Sequence, residues 1–337
     1  MRANFTDTQD ALREAVRDLL ADHAGSAAVR AAAFDGDGFD ADLWHLLVGM
    51  GVTDLPGAVE QGIVAEEIGR VVAPVPYVEH QVATAALASA GDGHDLLAQF
   101  TSGAALGVYA PGQAVRLEAG NLYGRLSAVP HAAAATHLVV DADDGDRQVL
   151  AVVEAGGTRR TTLPTMDRTR PLADVVLDAA AVLVVPADAV PSAPASLTAA
   201  TLYSHDLVGV GQTCLDMGVA HARTREQFGR VIGTYQAVSH KLVDMYVALE
   251  SARSHAYHAA WAVAAGEEVA ELAAGQAKAS ASHAAVMCAE GAIQVHGGIG
   301  FTWEHDLHLY LKRARSSAVL AGVTSAHLRR IADLIGV

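Results

Sequence analysis

Apolar residues recur at helical spacing along the first hundred positions and again from about position 195 to the end, with a different rhythm between. Leu12, Val16, Leu19 and Leu20 share one face of a first helix over residues 5–23, for which Thr6 or Thr8 is available as N-cap. Leu43, Trp44, Leu47 and Val48 make a short second helix that Gly49 and Gly51 stop, and Ile63, Val64, Glu67, Ile68 and Val71 a third that ends before Pro74. Val82 to Ala90 and Leu96 to Phe100 add two more. From Leu106 the period shortens: Leu106 to Tyr109, Leu122 to Leu126, His137 to Val140, Val149 to Val153 and Val175 to Val185 are short runs rich in Val and Leu between Gly, Asp and Pro turns, which predicts a small antiparallel β-domain. Helices return at Leu197 to Thr224, Tyr235 to Ala264, Leu272 to Val295, Asp306 to Val319 and Ser325 to Ile335. In the second of these, Leu242, Met245, Leu249, Ala252, Ala256 and Ala260 form one stripe. The expectation is a mainly α chain with a small β-domain: a helical domain over 1–103, a β-domain over 104–191 and a helical bundle over 192–337.

Composition narrows the function. A net charge of −15 over 337 residues leaves no basic stripe to displace counterions from nucleic acid. The start of the chain lacks the apolar run of an export signal, and no later run is long enough to cross a bilayer, so a soluble cytoplasmic protein is expected. Cys214 and Cys288 stand alone in helical patterns, as buried apolar residues rather than a disulfide or zinc pair. The 16 His are scattered, and His305 and His308 with Glu304 lack the HExxH spacing, so no metal site is expected.

Chemistry gathers instead in two stretches, REQFGRVIGTYQ from Arg225 to Gln236 and QVHGGIG from Gln294 to Gly300. Gly229 and Gly233 interrupt the helical rhythm, so the first is a tight connection between long helices. Arg225 can fork onto a phosphate, Phe228 offers an aromatic face, and Gln227, Gln236 and Gln294 carry amide donors and acceptors. Gly297 and Gly298 leave backbone N–H groups open to close approach. The set suits a pyrophosphate bearing an adenine.

The order RxxFG, a Gln, a long helical hairpin, then QxxGGxGF followed by a helix resembles the C-terminal half of the acyl-CoA dehydrogenase family, flavoproteins that oxidise the α,β-carbon bond of acyl-CoA thioesters. The resemblance spans Leu215 to Gly322 and is looser elsewhere, where VAEEIGRVVAPVPY and MDRTRPLADVVL also look like family segments. It implies FAD as cofactor, held by Arg225, Gln227, Phe228, Gln236, Gln294, Gly297 and Gly298, and electron-transfer flavoprotein or a similar acceptor as partner.

Other family parts are missing. The family's basic Glu follows the QxxGG loop or lies 26 residues ahead of the RxxFG arginine; here those positions are Ala321 and Ala199, with Ala200 or Thr201 where several members hold substrate with an Arg. The segments that seat the flavin ring read only GVYAPGQAV and YGRLSAVPHA, with Ala128 in place of a Trp and Pro130 in place of a hydroxyl residue. In the family the RxxFG and QxxGG elements reach mainly into a neighbour's FAD. The chain therefore resembles the smaller, base-lacking subunit of actinobacterial heterotetrameric (α2β2) steroid-degrading acyl-CoA dehydrogenases, in which a second acyl-CoA dehydrogenase-like chain carries the Glu. Two alternatives stand beside this: a self-sufficient homo-oligomer with a base relocated to Asp206 or Glu304, with His205 a further titratable group nearby, and a non-redox scaffold. From sequence, Asp206 is expected to cap or solvate a helix face, and Glu304 to neutralise nearby cations such as Lys312 or Arg313 or to fix the loop through backbone N–H groups.

Overall fold

The structure is a computed structural model describing residues 5–90, 94–111, 115–184 and 192–337. Val185, the stretch up to the expected boundary at Pro191, and residues 112–114 of GVYAPGQAV lie outside the described residues. In chain order the helices are α1 (Asp7–His23), α2 (Ser26–Arg30), α3 (Ala41–Gly49), α4 (Ala58–Arg70), α5 (Tyr77–Ser89), α6 (His94–Thr101), α7 (Ser192–Thr224), α8 (Gln236–Ala265), α9 (Ala270–His296), α10 (Leu307–Ser317) and α11 (Thr324–Ile335). The strands are β1 (Gly107–Ala110), β2 (Arg116–Glu118), β3 (Asn121–Pro130), β4 (His137–Asp143), β5 (Gln148–Glu154), β6 (Arg159–Thr162), β7 (Leu172–Val184), β8 (Glu226–Gln227) and β9 (Arg230–Val231). The chain is mainly α-helical with a small barrel-like β-region, the class the periodicity implies.

Two compact units emerge. The first joins Met1–Arg30, Gly57–Ala73 and Ala200–Val337. Its α1 starts with a capping box in which Thr6 and Gln9 satisfy each other's backbone N–H groups. The stripe expected on α8 is buried, and α9 meets it with a face of Ala, Gly and Cys that lets the two axes come close. At Gly291 even a methyl would strike the Met245 sulfur at 2.5 Å. Cys214 and Cys288 are buried free thiols, and burial pushes Cys288 up to about 12. Helices α4 and α7 cross still more tightly. A Cβ on Gly209 would lie 2.0 Å from the Glu66 carbonyl oxygen, and one on Gly69 would lie 2.1 Å from that of Asp206.

The second unit joins Ala31–Pro56 and Pro74–Ala199. Its sheet runs β1-β4-β2-β3-β7-β5, with β6 on β7, and closes because β5 also pairs with β4. Val and Leu from these strands fill the interior, among them Val108, Leu122, Leu138, Val140, Val153 and Val175. The expected all-antiparallel arrangement is corrected: β4 runs parallel to both β1 and β2. Parallel neighbours require a crossover, here supplied by the long connection from β1 to β4 that includes the β2–β3 hairpin. His80 on α5 stitches helix to barrel, bonding to the Phe100 carbonyl through Nε2 at 3.0 Å and accepting the Gly107 N–H at Nδ1 at 3.2 Å. Burial lowers it to about 4, so it stays neutral there.

Gly209→Ala tests the α4–α7 crossing. Ala is the better helix former by about 1 kcal/mol, but the obstacle is backbone and cannot rotate away. A net loss of about 2 kcal/mol or more is expected, read as a lower urea midpoint at unchanged m value.

Candidate functional site

All seven expected binding residues fall in the first unit, on segments that begin or end long helices. Arg225 follows α7 directly; its N–H returns to the His221 carbonyl at 2.9 Å and its own carbonyl accepts the Ile232 N–H at 2.8 Å. Between lies a miniature hairpin in which Glu226 pairs with Val231 and Gln227 with Arg230. The residues joining the strands are Phe228 (φ 50°) and Gly229 (φ 76°). Two consecutive positive φ values are the mark of a type I′ turn, which prefers Asn or Asp before Gly; a bulky residue there costs about 1–2 kcal/mol. Phe228 occupies that position with its side chain 94% exposed. Tyr235 braces the hairpin, its hydroxyl donating to the Gln227 carbonyl at 3.0 Å and its ring lying 3.8 Å under the Arg230 guanidinium.

Arg225, Gln236 and Gln294 are exposed, and a Cβ on Gly297 or Gly298 would meet nothing within 4 Å. Gly297 adopts φ 64°, ψ −139°, a conformation reserved for glycine. Gln227 differs from the others, because its amide already donates to the Glu226 carbonyl at 2.7 Å. Gln294 borders an open groove of about 570 Å³ along α9, whose polar wall carries Lys241 and the paired Glu290 and Arg315. The end of α7 is joined to that of α9 by a contact the sequence reading missed: His296 stacks on His221 with centroids 4.2 Å apart, and meets His305 at 4.5 Å. An exposed cation, exposed amides and an open glycine backbone fit a dinucleotide pyrophosphate and adenine.

The carboxylates held as alternative bases have other tasks. Asp206 neither caps nor solvates a helix face. It is fully buried, with Oδ1 3.2 Å from Arg313 Nη1 and Oδ2 accepting the Ser317 hydroxyl at 2.9 Å. Arg313, committed there and to the Val72 and Ala73 carbonyls, is not the partner of Glu304. Lys312 lies 4.4 Å over the Trp303 ring and 3.4 Å from His308 Nδ1. Glu304 is exposed, and hydrogen bonds from the Thr302 hydroxyl and its own backbone N–H hold it below the usual carboxylate range, the wrong direction for a base. Burial drives His205 down to about 3, with Nε2 bound to the Ala256 carbonyl at 3.2 Å.

Ala321, where the sequence resemblance puts the family's base, is left-handed at φ 55°. Its carbonyl accepts from His327 Nε2 at 2.9 Å, while buried Lys278 reaches the Ala318 carbonyl at 3.1 Å and Ser282 Oγ at 3.1 Å. The second base position, Ala199, is a buried methyl. In the barrel, Ala128 sits in a bulge of β3 at φ 54°, its N–H capped by Asp174 at 3.0 Å, and Pro130 has no N–H to offer. Neither position supplies the aromatic face or the hydroxyl that would seat a flavin ring, so these residues do not fit that half of the cofactor.

Residues 202–336 match the family profile described as the acyl-CoA dehydrogenase C-terminal domain. The acyl-CoA dehydrogenase IpdE2 of Mycobacterium tuberculosis is 35% identical, over 95% of this chain and 95% of its own. Among solved structures, a variant of the Tcur3481-Tcur3483 steroid ACAD superposes with a TM-score of 0.89 at 28% identity, covering 98% of both chains. The ChsE4-ChsE5 complex from Mycobacterium tuberculosis gives 0.88 at 25% identity, covering 100% of this chain and 99% of the other. Fold and site thus define a flavoprotein-type oxidoreductase architecture. The chain belongs to the acyl-CoA dehydrogenase family, and it resembles the subunits of heteromeric steroid dehydrogenases within it.

Two measurements probe the buried charges. Asp206→Ala, which strands Arg313, should cost about 3–5 kcal/mol in chemical denaturation, and replacing both partners by apolar residues of similar volume should recover most of it. Burial lowers Lys278 to about 8. Between that value and the ordinary lysine range the unfolded chain holds a proton the folded one lacks, so this lysine's contribution to stability rises with pH there, by up to about 1.4 kcal/mol per unit. The stability difference between wild type and Lys278→Met should shift in that sense above about pH 8 and stay flat below it.

Proposed function

We propose that this chain is the FAD-clamping, base-lacking subunit of a heteromeric acyl-CoA dehydrogenase. Arg225 binds the pyrophosphate of a flavin whose ring is seated on the partner chain, Phe228, Gln236 and Gln294 take the adenosine end, and the Gly297–Gly298 backbone admits close approach. Gln227 contributes by bracing the turn that presents Phe228, its amide and its carbonyl both being engaged within the hairpin. FAD, when bound, supplies the hydride acceptor, and the partner supplies the Glu that removes the α-proton. The substrate class is a bulky, steroid-derived acyl-CoA thioester, in keeping with the steroid ACAD likeness, and electrons pass to electron-transfer flavoprotein or a similar acceptor.

The observation that carries this reading is Phe228. A large apolar ring held in a strained turn and left almost wholly in solvent receives no return from its own chain. A partner that buries the ring would compensate both costs. The poor fit of Ala128 and Pro130 to a flavin ring, and the methyl groups of Ala321 and Ala199, support the same division of labour. A relocated base is disfavoured by the ion pair of Asp206 and the exposed, acid-shifted state of Glu304.

Co-expression with the dehydrogenase chain that associates with it should give a complex in which each pair of unlike chains shares a single flavin. Arg225→Ala should weaken FAD binding by about 1.5–3 kcal/mol, roughly tenfold to a hundredfold, measured by flavin fluorescence on dilution. A yellow, active protein obtained from this chain alone would overturn the proposal, and undiminished flavin retention in Arg225→Ala would favour the scaffold reading.

A further inference from the structure

Three imidazoles underlie the bundle end that carries the cradle. His296 closes α9, His221 lies in the last turn of α7, and His305 stands just ahead of α10. The His221 and His296 rings are stacked 4.2 Å apart with planes inclined by 25°, and His305 meets His296 edge-on at 4.5 Å and 63°. Arg225 follows His221 by one helical turn, while Gln294 and Gly297 flank His296. One side chain therefore joins the two helix ends from which the halves of the cradle extend.

Hydrogen bonds assign the ring nitrogens. His305 Nδ1 accepts the Leu307 N–H at 3.2 Å, so protonating it would break a bond at the start of α10, where the helix dipole opposes a cation. His296 Nδ1 lies 2.8 Å from the Ala292 carbonyl and must carry the hydrogen. Its Nε2 can take a proton without losing that bond, at the C-terminal end of α9 where the dipole favours positive charge. The charged groups around the stack are Arg225 at the end of α7, Arg30 from α2 and Asp306 ahead of α10, the last two paired at 2.7 Å, with exposed Glu304 near Arg30. His221 is lowered by burial, then by His296 and Arg225; His305 is lowered by burial and then by His296. Without a ligand, His221 and His305 resist charge.

We infer that His296 is a positioning residue that couples the two halves of the cradle, and that protonation of the imidazole stack tightens its hold on the pyrophosphate. This rests on the cradle reading and deepens it. A pyrophosphate diester remains doubly ionised across the histidine range, and its charge beside Arg225 offsets the repulsion that His221 meets from His296 and Arg225. The occupied cradle then binds more protons than the empty one, and by reciprocity the ligand binds more tightly as pH falls through that range.

The test uses the assembled complex of this chain with its partner, and reads the FAD dissociation constant by flavin fluorescence. Wild type should tighten several-fold from about pH 8 to about pH 6, up to about tenfold for each unit by which the anion raises the stack's proton affinity. His296→Phe keeps a ring to stack and cannot be charged; His296→Gln keeps an amide donor for the Ala292 carbonyl. Both should bind FAD with a flattened profile, whereas Arg225→Ala should bind weakly at every pH. A flat wild-type profile, or the wild-type slope retained in both His296 variants, would overturn the inference. Unchanged affinity in Arg225→Ala would instead remove the cradle reading beneath it.

Discussion

A single buried ion pair sets the geometry of the helical unit. Asp206 on α7 and Arg313 on α10 meet with no solvent contact, and Arg313 also reaches the backbone just past α4 at Val72 and Ala73. Burying two charges is costly, and their attraction offsets that only if the remaining donors and acceptors are met. Ser317 and the two carbonyls meet them here. Three segments far apart in sequence are thereby locked at one point, and the glycine contacts of α4 with α7 hold the crossing from the other side. Because α10 follows the GGIGF loop and α7 ends just before Arg225, the lock also fixes where both halves of the candidate cradle begin.

Much of this architecture was legible in the pattern of apolar residues. The long helices lie within a few residues of their expected bounds because each buries a continuous stripe, as Leu242 to Ala260 does on α8. Strands β2 and β6 escaped notice, being three and four residues long with mostly exposed side chains, so no alternation marks them. The parallel pairing of β4 was equally out of reach, since local period says nothing of strand direction. The candidate cradle residues could be proposed from sequence because each group sits within a short stretch. Asp206 and Arg313, or His221 and His296, are separated by whole helices, and only tertiary structure brings them together.

Strain and exposure fall on the parts proposed to bind, while interior charge serves the frame. Phe228 and Gly297 hold unusual backbone conformations at the surface. Among the buried titratable groups, His80, His205 and Lys278 each make hydrogen bonds to backbone carbonyls, an N–H or a neighbouring hydroxyl. A cluster of ionisable residues inside a protein invites a catalytic interpretation. Here the partners of each group argue for a structural one.

The surroundings of Ala321 bear on whether this polypeptide could be given a proton acceptor of its own at that residue. A glutamate there would inherit the left-handed strain that the alanine's β-carbon already bears, and would bring its carboxylate near a buried lysine committed to the Ala318 and Gly322 carbonyls. An engineer wishing to add a proton acceptor would have to reckon with that cation before choosing the carboxylate.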